Sequence, residues 1–284
     1  MVSAMGMERL HDAVNAPAFT LPGVMISDTA ANKLDAYMSS SPYPVVSFAF
    51  ACETVTGENR APMVAGFSSR GPSVVAPEIL KPDVVAPGVN ILAAWSGAVP
   101  PSGSKKIIDP RRVEYNILSG TSMATPHVAG AAALIKKVHG DWTPAMVRAR
   151  PPAARHGGMD PGLVYDAGTQ DYVDFLCTIG YTAEQMRQFV PQMSSGCGAR
   201  TIPGGVANLN YPSFVVGFDR SNGGGVRRLT RTVTKVSAQP ETYNVTFAAP
   251  EDVKVTVTPE TLEFKRENEK RSYTVESASS RKER

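Results

Sequence analysis

Two periodicities divide this chain. From about residue 203 onward, apolar and polar residues alternate. Val253, Val255 and Val257 take turns with Lys254, Thr256 and Thr258, and Tyr243, Val245 and Phe247 with Asn244 and Thr246. A period of two predicts strands that put one face in a core and the other in water. Pro240, Pro250 and Pro259 fall between the runs and separate the strands. Upstream the pattern is different. Short apolar runs at 63–67, 84–86, 91–94 and 115–118 read as strands, and from Ser122 the spacing becomes helical, with Val128, Ala132, Ile135 and Val138 on the periodic positions. Pro126 is tolerated there because it lies in the first turn, and Gly140 marks the helix end. The Ala-Gly-Ala-Ala-Ala middle of this helix predicts close packing and burial.

The candidate chemistry sits where strand gives way to helix. Ser119-Gly120-Thr121 forms a turn after Tyr115–Leu118, and Ser122 follows at the helix start. A serine in this position has an exposed hydroxyl, and the backbone N–H groups around it can hold a developing oxyanion. On Gly-Thr-Ser alone, a helix N-cap serine is by far the commoner reading.

The flanking sequence adds to this. Gly120-Thr121-Ser122-Met123-Ala124-Thr125-Pro126-His127 closely resembles the serine motif of subtilisin-like serine proteases, with Ser122 at the nucleophile position. Phe67-Ser68-Ser69-Arg70-Gly71-Pro72, the run from Leu80 to Trp95, Asp160-Pro161-Gly162-Leu163-Val164-Tyr165-Asp166 and Asn208-Leu209-Asn210-Tyr211-Pro212-Ser213-Phe214 resemble the plant branch of that family, in its order. The resemblance covers roughly residues 20 to 275. It implies peptide-bond hydrolysis through an acyl-enzyme on Ser122, with Gly120 and Thr121 supporting the turn and the oxyanion. No organic cofactor and no metal is implied.

The same resemblance requires an Asp and a His before the serine. His11 alone of the histidines precedes Ser122, in surroundings unlike the family's histidine motif, and Asp28-Thr29-Ala30 sits in a stretch that resembles another domain. By resemblance His127 is structural, and His139 and His156 match no catalytic position. The oxyanion-hole asparagine also has no match. Further on, Thr143 and Pro144 open a helix that Pro151-Pro152 ends, and the tract from Arg148 to Gly158 resembles nothing in the family. The expectation is therefore the C-terminal part of a much longer protease, with an internal deletion, inactive alone. The alternative is a non-catalytic binding protein or a dominant-negative fragment.

The expected architecture is α/β: part of a subtilisin-like parallel sheet with helices, followed by an incomplete fibronectin-III-like β-sandwich. Residues 1–55 read as the remnant of a protease-associated domain, 56–200 as the C-terminal half of the peptidase domain and 201–284 as the sandwich. Charge changes this little. With 29 Lys and Arg against 26 Asp and Glu the net charge is +3. Arg227, Arg228 and Arg231 read as a solvated strand edge, and Arg281, Lys282 and Arg284 as a frayed tail, rather than as a nucleic-acid contact. No apolar run is long enough for a membrane span, and Met1 to Asn15 has no signal-peptide pattern. Of three cysteines, Cys177 and Cys197 resemble a disulfide pair of the plant branch, with two buried thiols as the alternative, and Cys52 is left over. Asn244-Val245-Thr246 is a glycosylation sequon. The resemblance implies an extracellular protein, with peptides or proteins as substrates and a possible protein partner through the sandwich.

Overall fold

The computed structural model describes residues 18, 26, 28–47, 49, 63–68, 71–102, 109–148, 162–193, 196–218 and 225–279. His11, Cys52, His156, most of the Arg148–Gly158 tract and the basic tail lie outside them. The chain divides into two compact units, Met1–Ser68 with Val85–Ala129, and Ser69–Val84 with Gly130–Arg284. These units cut across the three regions expected from sequence.

The first unit contains helix α1 (Asp28–Ser40) and an antiparallel pair, β1 (Ile91–Ala94) and β2 (Tyr115–Leu118), in which Ile91 faces Leu118 and Ala94 faces Tyr115. Helix α2 (Thr121–Val138) starts two residues after β2 leaves off. Trp95 N donates to the Glu114 carbonyl at 2.7 Å and continues the ladder past β1. In the loop between the strands, Arg111 clamps the Asp109 carboxylate through Nε and Nη2, both at 2.8 Å, and that pairing holds the carboxyl well below the ordinary carboxylate range.

Several sequence expectations are corrected here. Among the described residues every ladder is antiparallel, not parallel. A parallel pair needs a crossover, usually a helix, and no helix lies in the described residues between β1 and β2. The runs at 63–67 and 84–86 are not strands. Apolar β-branched residues favour an extended backbone, but a strand also needs a neighbour to accept its hydrogen bonds. Helix α2 is not buried: only Ile135 is, while Leu134 is 71% and Val138 54% exposed. The small-residue pattern described a helix built to be covered, and the described residues do not cover it.

The second unit is the packed one. A four-stranded sheet has the order β3-β4-β8-β6, from β3 (Leu163–Val164), β4 (Val226–Lys235), β8 (Lys270–Ser279) and β6 (Val253–Thr258). A two-stranded sheet joins β5 (Glu241–Asn244) to β7 (Thr261–Phe264). Leu229, Val233, Val257 and Phe264 are buried in this sandwich. The inward positions of β4 also hold Arg231 and Lys235, both fully buried, so Arg231 is not the solvated edge residue its charge suggested. Strand β4 is internal, paired on one side with β3 and on the other with β8. Arg231 survives burial because its guanidinium donates to the carbonyls of Tyr211, Thr230 and Ala207, each at 2.8 Å. Desolvation nonetheless lowers its pKa from the usual arginine value.

Two further clusters complete this unit. Helix α3 (Pro144–Arg148) is capped by Thr143, whose hydroxyl accepts from Met146 N at 3.2 Å. Helices α4 (Thr169–Thr178) and α5 (Ala183–Phe189) bury Val173, Cys177 and Met186 together, and Cys177 is disulfide-bonded to Cys197. Thr182 and Gln185 form a capping box at the start of α5, as a Thr-x-x-Gln sequence permits. A second cluster gathers Ala76, Ile79, Leu209 and Tyr211. The Tyr211 hydroxyl donates to Asp83 and accepts from Lys81, and the Arg148 guanidinium lies 3.9 Å over its ring.

Candidate functional site

The serine turn is built by backbone contacts that hydrophobic pattern does not encode. Gly120 N donates to the Gly88 carbonyl at 2.7 Å, which ties the exit of β2 to the loop before β1. The two glycines allow this approach for different reasons. A Cβ on Gly88 would fall 2.8 Å from the Gly120 carbonyl oxygen, whereas a Cβ on Gly120 would meet only ordinary contacts, 3.6 Å from Met123 Sδ, but its φ of +157° is one that an L side chain disfavours. A second tie lies beside the first. The Ser119 hydroxyl accepts from Asn90 N at 2.8 Å and donates to Asn90 Oδ1 at 3.3 Å, with Asn90 itself in the left-handed region at φ +51°. Asn90 and Gly88 were not singled out from sequence, and Ser119 was read only as part of the turn. An Asn after a Pro-Gly pair in a tight turn was the available signal.

From this fixed turn α2 begins. Met123 N and Ala124 N donate to the Gly120 carbonyl, and Thr125 Oγ1 donates to the Thr121 carbonyl at 3.0 Å. Thr121 and Ser122 occupy the first helical turn, where amides have no carbonyl partner within the helix and the helix dipole favours negative charge. Ser122 is exposed. An exposed hydroxyl beside amides of this kind is the arrangement that acyl transfer requires on the electrophilic side. The Gly120 amide is committed to Gly88 and those of Met123 and Ala124 to the Gly120 carbonyl, so in this first turn the Thr121 and Ser122 amides are the ones not engaged by these backbone bonds.

The basic side is different. His127 lies five residues after Ser122, well round the helix from it. Its Nδ1 contacts the Met123 carbonyl at 2.9 Å, one turn back along α2. His139 stacks on Trp142 with ring centroids 3.9 Å apart. Among the described residues no imidazole is hydrogen-bonded to the Ser122 hydroxyl, and no group of His, Cys, Asp and Glu could hold a metal ion. Cys177, Cys197 and Asn244 belong to the second unit, not to the serine's. Asn244 is exposed on β5, where its Oδ1 accepts from Thr261 Oγ1 at 2.8 Å. No helix is long and apolar enough to cross a membrane among the described residues.

The structure thus places an exposed serine at a helix start after a Gly-Thr-Ser turn in one unit, and a β-sandwich in the other. Comparison with known proteins makes this specific. The profile of the Subtilase family matches residues 22–151, and that of a fibronectin type-III domain matches residues 208–284. Arabidopsis thaliana Subtilisin-like protease SBT1.7 is 42% identical over 95% of this chain, and SBT1.6 from the same plant 40% over 91%. SBT5.3, also from Arabidopsis, is 34% identical over 92%. The chain belongs to the subtilase family. It spans only about two-fifths of the length of these relatives, 40% of SBT1.7 and 37% of SBT1.6. The match to SBT1.7 extends over 308 residues, more than the 284 of the whole chain, so the relative has residues inside the matched span that this chain lacks.

Proposed function

We propose that this chain carries the nucleophile half of a serine endopeptidase site. Ser122 attacks the peptide carbonyl, and the Thr121 and Ser122 amides at the start of α2 hold the oxyanion. A base and its orienting carboxylate from outside the described residues complete the site. The observation that carries this reading is the exposed Ser122 at the start of α2, held by the Gly120–Gly88 and Ser119–Asn90 ties. The hydroxyl needs a proton acceptor because an unassisted serine is a weak nucleophile at neutral pH. Peptides or proteins are the substrates. With the described imidazoles engaged elsewhere, the chain alone hydrolyses peptides negligibly.

Incubation with a fluorophosphonate probe tests this. The isolated chain is expected to remain unlabelled at Ser122 over a period in which an active subtilase is fully modified. Rapid labelling, abolished by Ser122→Ala, would overturn the reading of an incomplete site. The second reading, a non-catalytic binding or dominant-negative protein acting through the sandwich, is favoured by the separate core of the second unit. It predicts a cooperatively folded chain that binds a full-length subtilase with Ser122→Ala intact. The family and the Cys177–Cys197 bridge support an extracellular location, where Asn244 would be the glycan acceptor. A mass shift removed by Asn244→Gln after expression in a secretory host checks the acceptor.

A further inference from the structure

The two sheets of the sandwich do not fill the space between them. A cavity of about 400 Å³ lies there. Val255, Val257 and Val275 line it from the four-stranded sheet, and Tyr243, Val245 and Leu262 from the β5–β7 side. It opens to solvent beside Phe247, which is 57% exposed. Protein interiors are close-packed and hold few voids larger than a water molecule, so a space of this size is unlike an ordinary core.

One polar group inside it has nothing to bond. Ser277 shares the inward face of β8 with Tyr273 and Val275, lines the cavity and is only 6% exposed. Among the described residues its hydroxyl has no hydrogen-bond partner. The tyrosine hydroxyls of the same walls are committed, that of Tyr273 to Tyr165 at 2.7 Å and that of Tyr243 to the Glu241 carboxylate. A hydroxyl held out of water without a partner costs free energy. Water meets that need poorly here, because a buried water makes about three hydrogen bonds and these walls offer one uncommitted hydroxyl. Charge narrows the occupant further. Among the described residues that line the cavity none is cationic, and Glu260 stands exposed at its mouth. A carboxylate or phosphate would enter against that charge with no cation to receive it. A neutral molecule with one oxygen meets both conditions.

We infer that the interior of the sandwich is a binding site for a neutral long-chain alcohol, whose hydroxyl pairs with Ser277 while its hydrocarbon chain fills the space between the sheets. Size sets the length of that chain. A cavity of about 150 Å³ holds one benzene, so this one accommodates up to about sixteen carbons. The Asn244 side chain bonds Thr261 on the face of β5 opposite to Tyr243, so a glycan on Asn244 leaves the mouth clear. The inference is independent of the chemistry at Ser122.

The experiment titrates the full chain, with its Cys177–Cys197 bridge intact, with 1-decanol and with decanoate, followed by calorimetry. Decanol is expected to bind at one site per chain, and decanoate about tenfold more weakly or not at all, since its charge finds no partner. Ser277→Ala is expected to weaken decanol about tenfold, because the ligand hydroxyl then has nothing to bond. The same variant without ligand should unfold at the same temperature as the parent or a higher one, since an unpaired buried hydroxyl has been removed. Val255→Phe sets an aromatic ring in the cavity and is expected to abolish binding, with circular dichroism and thermal unfolding establishing that it is still folded. Absence of decanol binding to the parent chain would overturn the inference. So would decanol binding that Ser277→Ala or a folded Val255→Phe leaves unchanged, or decanoate binding as tightly as decanol.

Discussion

The two compact units differ in how they keep water out. In the unit that carries Ser122, Ala31 and Pro101 are the buried apolar residues among the described positions, and Leu92 and Tyr115 on its strand pair are 65% and 62% exposed. In the other unit, the sandwich residues Leu229, Val233, Val257 and Phe264 and the helical residues Val173, Cys177 and Met186 are buried. Local backbone ties define the serine turn, while a core and a covalent bridge define the second unit. Hydrogen bonds at an exposed turn contribute modestly, about 1 kcal/mol each, because water competes for the same groups. Burial of a single large apolar side chain contributes about 1.5–3 kcal/mol. Cooperative stability therefore belongs to the second unit, while the candidate nucleophile Ser122 lies in the first.

The sharpest way to break this contrast is to unpair the buried charge. Arg231→Ala strips the Tyr211 and Ala207 carbonyls of their donor and leaves a cavity inside β4. A loss of about 3–5 kcal/mol is expected in urea unfolding followed by circular dichroism. A loss below about 1 kcal/mol would mean that β4 is not within the cooperative core. Removing the bridge comes next. Cys177 and Cys197 are 20 residues apart, so Cys177→Ser with Cys197→Ser should cost about 3 kcal/mol in the same assay, and reduction of the native chain should reproduce it.

The smallest effect is expected at the serine turn, where it is most informative. Gly88→Ala sets a methyl 2.8 Å from the Gly120 carbonyl, so the turn must shift. The main unfolding transition should nonetheless move by no more than about 0.5 kcal/mol, because it reports the second unit. Hydrogen exchange should show the change at Gly120 alone, as faster exchange of the amide that Gly88 protects. A large shift in the main transition would show that the two units unfold as one.

Legibility in the sequence followed the range of the interactions involved. Strands β1, β2 and β6 and the serine helix were readable because each follows from local apolar spacing. The Thr182 capping box has an equally local signature, Thr-x-x-Gln. The runs at 63–67 and 84–86 were misread because strand formation depends on a partner elsewhere in the chain. Arg231 was misread for a related reason. Its charge argued for solvent, and only the fold supplies three carbonyls around an inward position.

Sequence by itself determined the family, the candidate nucleophile and a few local elements, among them β1, β2, β6 and the serine helix, because motifs and periodicities are properties of neighbouring residues. Tertiary structure alone decided that the ladders run antiparallel and that α2 lies open. It also decided that an arginine sits in the core. Each of those depends on which groups meet across long stretches of chain, where burial and hydrogen-bond satisfaction, rather than local preference, select the outcome.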